Sequence, residues 1–161
     1  MAEPVTILLA EDREDDVVLI RRAFARVNFR NPLLVVKNGE DAINYLKGET
    51  PYDDRTKYPF PGLLLLDLKM PRKDGFEVLR WIREQRAFDG LRVLVLTSSE
   101  ASQDVALAYD LGANSFLVKP SDFSDLMQLS RFIDGFWVQF NKTIEGSGGD
   151  SQSRIMVENW R

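Results

Sequence analysis

Glu11-Asp12, Asp67, Thr97-Ser98 and Lys119-Pro120 each follow directly on a run of apolar residues. Gathered in one place they would assemble carboxylates, a hydroxyl and an ammonium. Carboxylates brought together repel and raise each other's pKa unless a cation sits among them. Oxygen donors of this kind suit a hard divalent ion, and Mg²⁺ commonly takes one or two carboxylates while keeping waters and phosphate oxygens. The lysine adds a second positive charge and the hydroxyl a directed donor. Such a set suits a phosphoryl group, whose transfer depends mainly on positioning and charge neutralisation. The residue types that are missing narrow the chemistry further. The 161 residues include no histidine and no cysteine, which removes Ser-His-Asp and Cys-His hydrolysis, zinc sites built on either residue, histidine acid/base work and redox thiols.

Taken singly, each group has a plainer use. Asp12 or Asp15 could cap a helix, Asp67 could serve the turn chemistry of Pro71 and Asp74-Gly75, Thr97 and Ser98 could end a strand, and Lys119 could be solvated. Their recurrence at the ends of the apolar runs favours one shared site, provided that the fold brings those ends to one rim.

The elements that must do so are legible in the hydropathy pattern. Five apolar segments read as strands, Thr6–Ala10, Leu33–Val36, Leu63–Leu66, Leu91–Leu96 and Ser115–Val118. Several are continuous rather than alternating, as expected of parallel strands covered on both faces. Helical periodicity falls between and after them, at Asp15–Val27, Gly39–Lys47, Phe76–Gln85, Asp104–Leu111 and Asp122–Phe140. The last aligns Phe123, Leu126, Leu129, Ile133, Phe136, Trp137 and Phe140. Strand and helix repeated with short connections predict a doubly wound α/β sheet, whose working site lies outside the carboxyl ends of the strands.

Composition bounds the rest. The net charge of −4, from 21 basic and 25 acidic residues, speaks against a non-specific nucleic-acid binder. The longest uninterrupted apolar run, Val105–Tyr109, is far too short to cross a bilayer, and the Met-Ala-Glu-Pro start has no signal-peptide pattern. A soluble, cytoplasmic chain with neither nucleic acid nor membrane as partner is expected. Residues 48–61 form a long connector with three aromatics and three prolines, predicted to be an ordered surface loop whose aromatics cover part of the sheet edge. Residues 1–142 are assigned to one domain and 143–161 to a flexible tail, on the Gly/Ser-rich composition after Gly146.

The segments Ile7-Leu-Leu-Ala-Glu-Asp12, Leu63-Leu-Leu-Leu-Asp-Leu-Lys-Met-Pro71 with Asp74-Gly75, Val93-Leu-Val-Leu-Thr-Ser98 and Gly112-Ala-Asn-Ser-Phe-Leu-Val-Lys-Pro120 resemble the receiver domain of two-component response regulators. The resemblance covers residues 5 to 140. The long connector and Phe136-Trp137 are similar to small stand-alone regulators that partner bacterial phytochrome-type histidine kinases. The resemblance implies a flavodoxin-like (βα)5 fold with strand order 2-1-3-4-5. It also implies roles: Asp67 as phosphoacceptor, attacking a partner's phosphohistidine; Glu11, Asp12, Asp67 and the main-chain carbonyl of Lys69 as ligands of Mg²⁺; Lys119 paired with the phosphoryl oxygens; and Thr97 bonded to one of them. Lys119-Pro120 would be a cis peptide aiming the lysine. Thr97 and Phe116 would form the switch, with the ring turning inward and the surface of the fourth helix, fifth strand and fifth helix remodelled.

Such a chain would not be an enzyme toward other molecules, catalysing only its own phosphoryl transfer and autodephosphorylation. Its partners would be a sensor histidine kinase and a downstream protein, since the 21 residues after Phe140 are too few for a DNA-binding output domain. Met127 and Phe132 lie off the inward stripe of the last helix and suggest homodimerisation or kinase docking there. Three alternatives compete. A degenerate receiver would act as an interaction module without phosphorylation, and the intact set of five site residues argues against it. A flavin-binding electron carrier would need a Ser/Thr/Gly phosphate loop where this chain has Glu11-Asp-Arg-Glu-Asp-Asp16. An aspartate-dependent Mg²⁺ hydrolase would carry its nucleophile after the first strand.

Overall fold

The computed structural model describes residues 5–146, with side chains described as far as residue 135. Five strands, β1 (Ile7–Ala10), β2 (Leu33–Val36), β3 (Leu63–Leu66), β4 (Arg92–Thr97) and β5 (Ser115–Val118), form one parallel sheet in the order β2-β1-β3-β4-β5. They alternate with α1 (Glu14–Arg26), α2 (Gly39–Lys47), α3 (Gly75–Glu84), α4 (Ser102–Asp110) and α5 (Phe123–Gly146). This is the flavodoxin-like doubly wound fold. Each strand falls within a residue of its sequence expectation, because an unbroken aliphatic run between turn residues can be buried on both faces only as a central strand.

Side-chain alternation divides the core in two. Leu8, Ala10, Leu64, Leu66, Val93, Val95 and Phe116 face α2, α3 and α4. Ile7, Leu9, Leu63, Leu65, Leu94, Leu96 and Leu117 face α1 and α5. The carboxyl edge of the sheet is stepped. Ala10 pairs with Leu66 and Leu66 with Val95, but β4 runs on two residues to Thr97, which pairs with Val118. At strand rise the step is about 7 Å.

The helices begin in different ways. Asn38 caps α2 by accepting from the Asp41 amide at 2.7 Å, and Asp74 caps α3 by accepting from Glu77 at 2.9 Å. No side chain caps α1, so neither Asp12 nor Asp15 is used in that way. α2 ends on Gly48 in the left-handed region, φ 73°. The Arg55 guanidinium then takes over its last carbonyls, donating to Tyr45 at 2.8 Å and Leu46 at 2.9 Å. The connector is ordered, as expected, and Tyr52 and Tyr58 meet Tyr45 of α2 with ring centroids 5.2 and 6.0 Å away, tilted and edge-on.

At the rim opposite the strand ends, Arg83 of α3 ties three segments together. Its guanidinium donates to the carbonyl of Gly112 at 2.9 and 3.0 Å, to that of Leu91 at 3.1 Å and to Asn114 Oδ1 at 3.2 Å. Removing one charged partner leaves part-buried carbonyls unsatisfied, so Arg83→Ala is expected to lower stability by about 3 kcal/mol. Arg83→Lys should recover little of it, since an ammonium cannot span the same acceptors. Urea unfolding of the three proteins checks this.

The tail expected at 143–161 begins inside α5, which continues to Gly146; the rest of it, including 154–161, and the side chains of Phe136, Trp137 and Phe140 lie outside the described residues. No helix among the described residues is long and apolar enough to cross a membrane.

Candidate phosphoryl site

β1 and β3 stop side by side, so the residues that follow them, Glu11 and Asp67, emerge together at the lower tread of the step. The chain is held there by main-chain bonds from the Glu11 amide to Val36 at 3.0 Å and from the Asp67 amide to Ala10 at 3.1 Å. Glu11 is fully buried and Asp67 is 4% exposed, while Asp12 lies at the surface. Carboxylate oxygens of the three lie within 4.8 Å of one another.

Lys119 closes the site from the upper tread. Its ammonium contacts Glu11 Oε1 and donates to Asp67 Oδ2 and Asp16 Oδ2, each at 3.0 Å. Only 12% of its side chain is exposed. The cis Lys119-Pro120 bond expected from the resemblance is absent; the cis peptide among the described residues is Thr50-Pro51. The lysine has no need of it. Its amide donates to the Thr97 carbonyl at 2.8 Å, extending the β4–β5 ladder one residue and aiming the side chain by strand pairing alone. The trans form of an X-Pro bond then costs nothing against its ordinary preference.

Burial and neighbours split the charges. Burial, then contact with Asp67, pushes Glu11 up to about 8. Burial would raise Asp67 too, but contact with Glu11 and the Lys119 charge outweigh it and hold Asp67 below the usual carboxylate range. Burial alone would lower Lys119, and its bond to Glu11 with the charge of Asp67 carries it well above the ordinary lysine range. These shifts favour an ionised, buried Asp67 beside an ammonium and a proton on Glu11 near neutral pH. A cation could displace that proton. Glu11 Oε2 is buried without a hydrogen-bond partner. With three carboxylates converging, this orphan acceptor fits a hard, oxygen-loving divalent ion.

Thr97 is fully buried; its Oγ1 makes no hydrogen bond of good geometry, although the hydroxyl is near enough to Asp67 to help hold that carboxylate down. An unpaired buried hydroxyl costs free energy until an acceptor reaches it. Phe116, which shares a sheet face with Val95, is also fully buried. The ring lies inside the core in this conformation. Ser98 is exposed, whereas its neighbour Ser99 donates to Asp104 of α4 at 2.5 Å. Lys69 is exposed, and its amide approaches Asp67 Oδ1 at 3.4 Å.

Two features departed from the sequence reading. Asp16, in the first turn of α1, is not among the residues singled out from sequence, yet its carboxylate turns to Lys119. Met127 and Phe132, reckoned as free apolar surface on α5, are half-buried against the cluster formed with α1. α5 lies in the angle between α1 and the sheet, so its packed stripe is wider than one face. The exposed large apolar residues are instead Val18 and Leu19 of α1, Phe60, and Leu107 of α4.

A five-stranded parallel sheet of this order, with clustered acids, a hydroxyl and a lysine at its carboxyl edge, defines the receiver class of signalling domains. The model of the response regulator receiver domain family matches residues 7–131, and the chain belongs to that family. Such proteins are phosphorylated on an aspartate in two-component signalling. The chain is 33% identical to response regulator Rcp1 of Synechocystis sp., over 84% of this chain and 90% of that one. The solved Mn²⁺-bound form of Rcp1 superposes with a TM-score of 0.75, at 34% identity, covering 83% of this chain and 94% of the other. Response regulator RPA3017, of red light signalling in R. palustris, gives a TM-score of 0.79 at 36% identity, covering 84% and 94%. The phosphorylated cyanobacterial phytochrome response regulator RcpA gives 0.77 at 34%, covering 84% and 95%.

Proposed function

We propose that this chain accepts a phosphoryl group on Asp67 from a phosphohistidine of a partner kinase, with Mg²⁺ bound by Glu11, Asp12, Asp67 and the main-chain carbonyl of Lys69. The observation that carries the reading is the Lys119 ammonium 3.0 Å from a buried, ionised Asp67 within a cluster of three carboxylates. An Asp67 oxygen attacks phosphorus, the new P–O bond replaces the P–N bond to histidine, and the imidazole leaves as the acyl phosphate forms. The bound ion would supply neutralising charge to the transferring group. Lys119 would pair with the phosphoryl oxygens. The Thr97 hydroxyl, which makes no hydrogen bond of good geometry here, would gain an acceptor.

The group's charge and acceptors would then bias the α4–β5–α5 surface. Phe116 is already inside, so the movement falls to Thr97 and to the β4–α4 loop, where Ser99 is bonded to Asp104. Leu107 on exposed α4 lies on the surface that a downstream protein would read. Action in the cytoplasm goes with this reading, and the relatives named for phytochrome signalling make a phytochrome-type kinase the partner to try first. For the kinase, contact beside the site is favoured over pairing through Met127 and Phe132. Val18 and Leu19 are 41% and 40% exposed within one turn of Asp16, and Leu19 borders a groove with Phe123 of α5.

The test is incubation with acetyl phosphate, with Mg²⁺ or with EDTA, read by intact mass and peptide mapping. A Mg²⁺-dependent adduct on Asp67 is expected; no adduct, or one on another residue, would end the proposal. Leu19→Glu is expected to slow transfer from the cognate kinase about tenfold or more, as loss of one interface anchor does, while acetyl phosphate still reacts at the wild-type rate. Parallel time courses with the two donors check it.

A further inference from the structure

Lys119 has three acceptors, and they are not equivalent. Glu11 and Asp67 belong to the carboxylate group that can converge on one ion. Asp16 does not. It stands in the first turn of α1, with its side chain 27% exposed, 3.0 Å from the ammonium and 3.8 Å from Arg13 Nε. An ammonium has three hydrogens to donate. In the conformation seen here all three are directed to acidic side chains from three separate segments, the residues just after β1 and β3 and the first turn of α1.

The site's own chemistry would draw two of those acceptors away. A cation would compete with the lysine for Glu11 and Asp67, and a phosphoryl group would esterify Asp67. Asp16 is the acceptor that neither event consumes. Its neighbours show that helix-end charge is not its only use: Glu14 and Asp15 share the same first turn and serve the helix dipole equally well, yet Glu14 pairs with Lys37 at the surface and Asp16 turns into the site.

We propose that Asp16 is a positioning residue for phosphoryl transfer, anchoring the Lys119 ammonium so that its remaining donors can pass from carboxylates to phosphoryl oxygens. The inference rests on the role given above to Asp67 and Lys119. Asp16 acts through the lysine and touches no reacting atom. A long, flexible side chain with one fixed acceptor pivots, whereas one without it must be ordered anew in each transfer.

The test compares wild type, Asp16→Asn, Asp16→Glu and, as a control on helix charge, Glu14→Gln. Acyl phosphate formation from acetyl phosphate is followed by mass, Mg²⁺ affinity by calorimetry, and the Lys119 ammonium by its protected ¹⁵Nζ–H NMR signal in the presence of Mg²⁺. Asp16→Asn is expected to slow adduct formation on the order of tenfold and to lose the protected signal, with Mg²⁺ affinity unchanged. Asp16→Glu should regain rate and signal, and Glu14→Gln should match wild type. A wild-type rate with a retained ammonium signal in Asp16→Asn overturns the proposal. So does an equal slowing by Glu14→Gln, or a loss of Mg²⁺ affinity that would make Asp16 a metal ligand. If wild type itself takes no adduct, the functional reading fails, while the ammonium signal still reports whether Asp16 holds the lysine.

Discussion

Asp67→Asn is expected to take up no phosphoryl group from either a kinase or acetyl phosphate, while folding as the wild type does. The amide is close to isosteric with the carboxylate, so the buried position, 4% exposed, can be filled without a cavity. The main-chain bond from residue 67 to Ala10 does not involve the side chain, and an amide oxygen can still accept from Lys119. What is lost is the anionic nucleophile. A neutral carboxamide oxygen is a poor nucleophile toward phosphorus, and the acyl phosphate cannot form on it. Intact mass after incubation with Mg²⁺ and acetyl phosphate, alongside circular dichroism, separates the two effects. An equal adduct on the variant would place the acceptor on another residue, and no adduct on either protein would return the chain to the phosphorylation-independent alternative.

The second large effect concerns the protein stripped of divalent ions. In EDTA its stability should fall as pH rises from about 5 to about 8, the window between the ordinary carboxylate value and the raised Glu11 value. The sign follows from proton counts. Between these limits folded Glu11 carries a proton that the unfolded chain has released, so raising pH favours unfolding. One such proton gives a slope of about 1.4 kcal/mol per pH unit at its steepest. Asp67 and Lys119 do not oppose it, because the first is shifted down and the second up, and both titrate outside the window. Mg²⁺ should flatten the slope by taking the place of the proton, and Glu11→Gln should flatten it without Mg²⁺. Urea unfolding at several pH values measures each slope; a flat profile for the stripped wild type would show that Glu11 is ionised in the fold.

The strands and the strand-end groups were legible because both are one-dimensional signals. Leu63–Leu66 is an apolar run that stops at a charge, and the rule that α/β sheets work at their carboxyl edge turns that stop into a site. Thr97 and Lys119 were reached in the same way. What sequence did not reveal depends on where helices lie on the sheet. Asp16 shares a helical turn with Glu14 and Asp15, and nothing local tells which of the three faces Lys119. Met127 and Phe132 read as surplus until α1 is seen beside α5. That the tyrosines of the connector meet Tyr45 of α2 is likewise settled by tertiary packing and not by local sequence. The expected cis bond at Lys119-Pro120 came from resemblance, and the ladder bond from Lys119 to Thr97 supplies the aim it was to provide.

The step in the sheet has a mechanical consequence. Glu11 and Asp67 end β1 and β3, strands paired on both sides, whereas Thr97 and Lys119 end β4 and β5, the second of which has a strand on one side only. On the proposed function, charge arriving on the tread at β3 would act through Thr97 and Lys119 on β5, the edge strand, and not on the middle of the sheet. On the far rim, Arg83 clamps Gly112, Asn114 and Leu91, just ahead of those same two strands. Pinned at one end and pulled at the other, the β4–β5 pair would then work as a lever with the Arg83 guanidinium at its fulcrum.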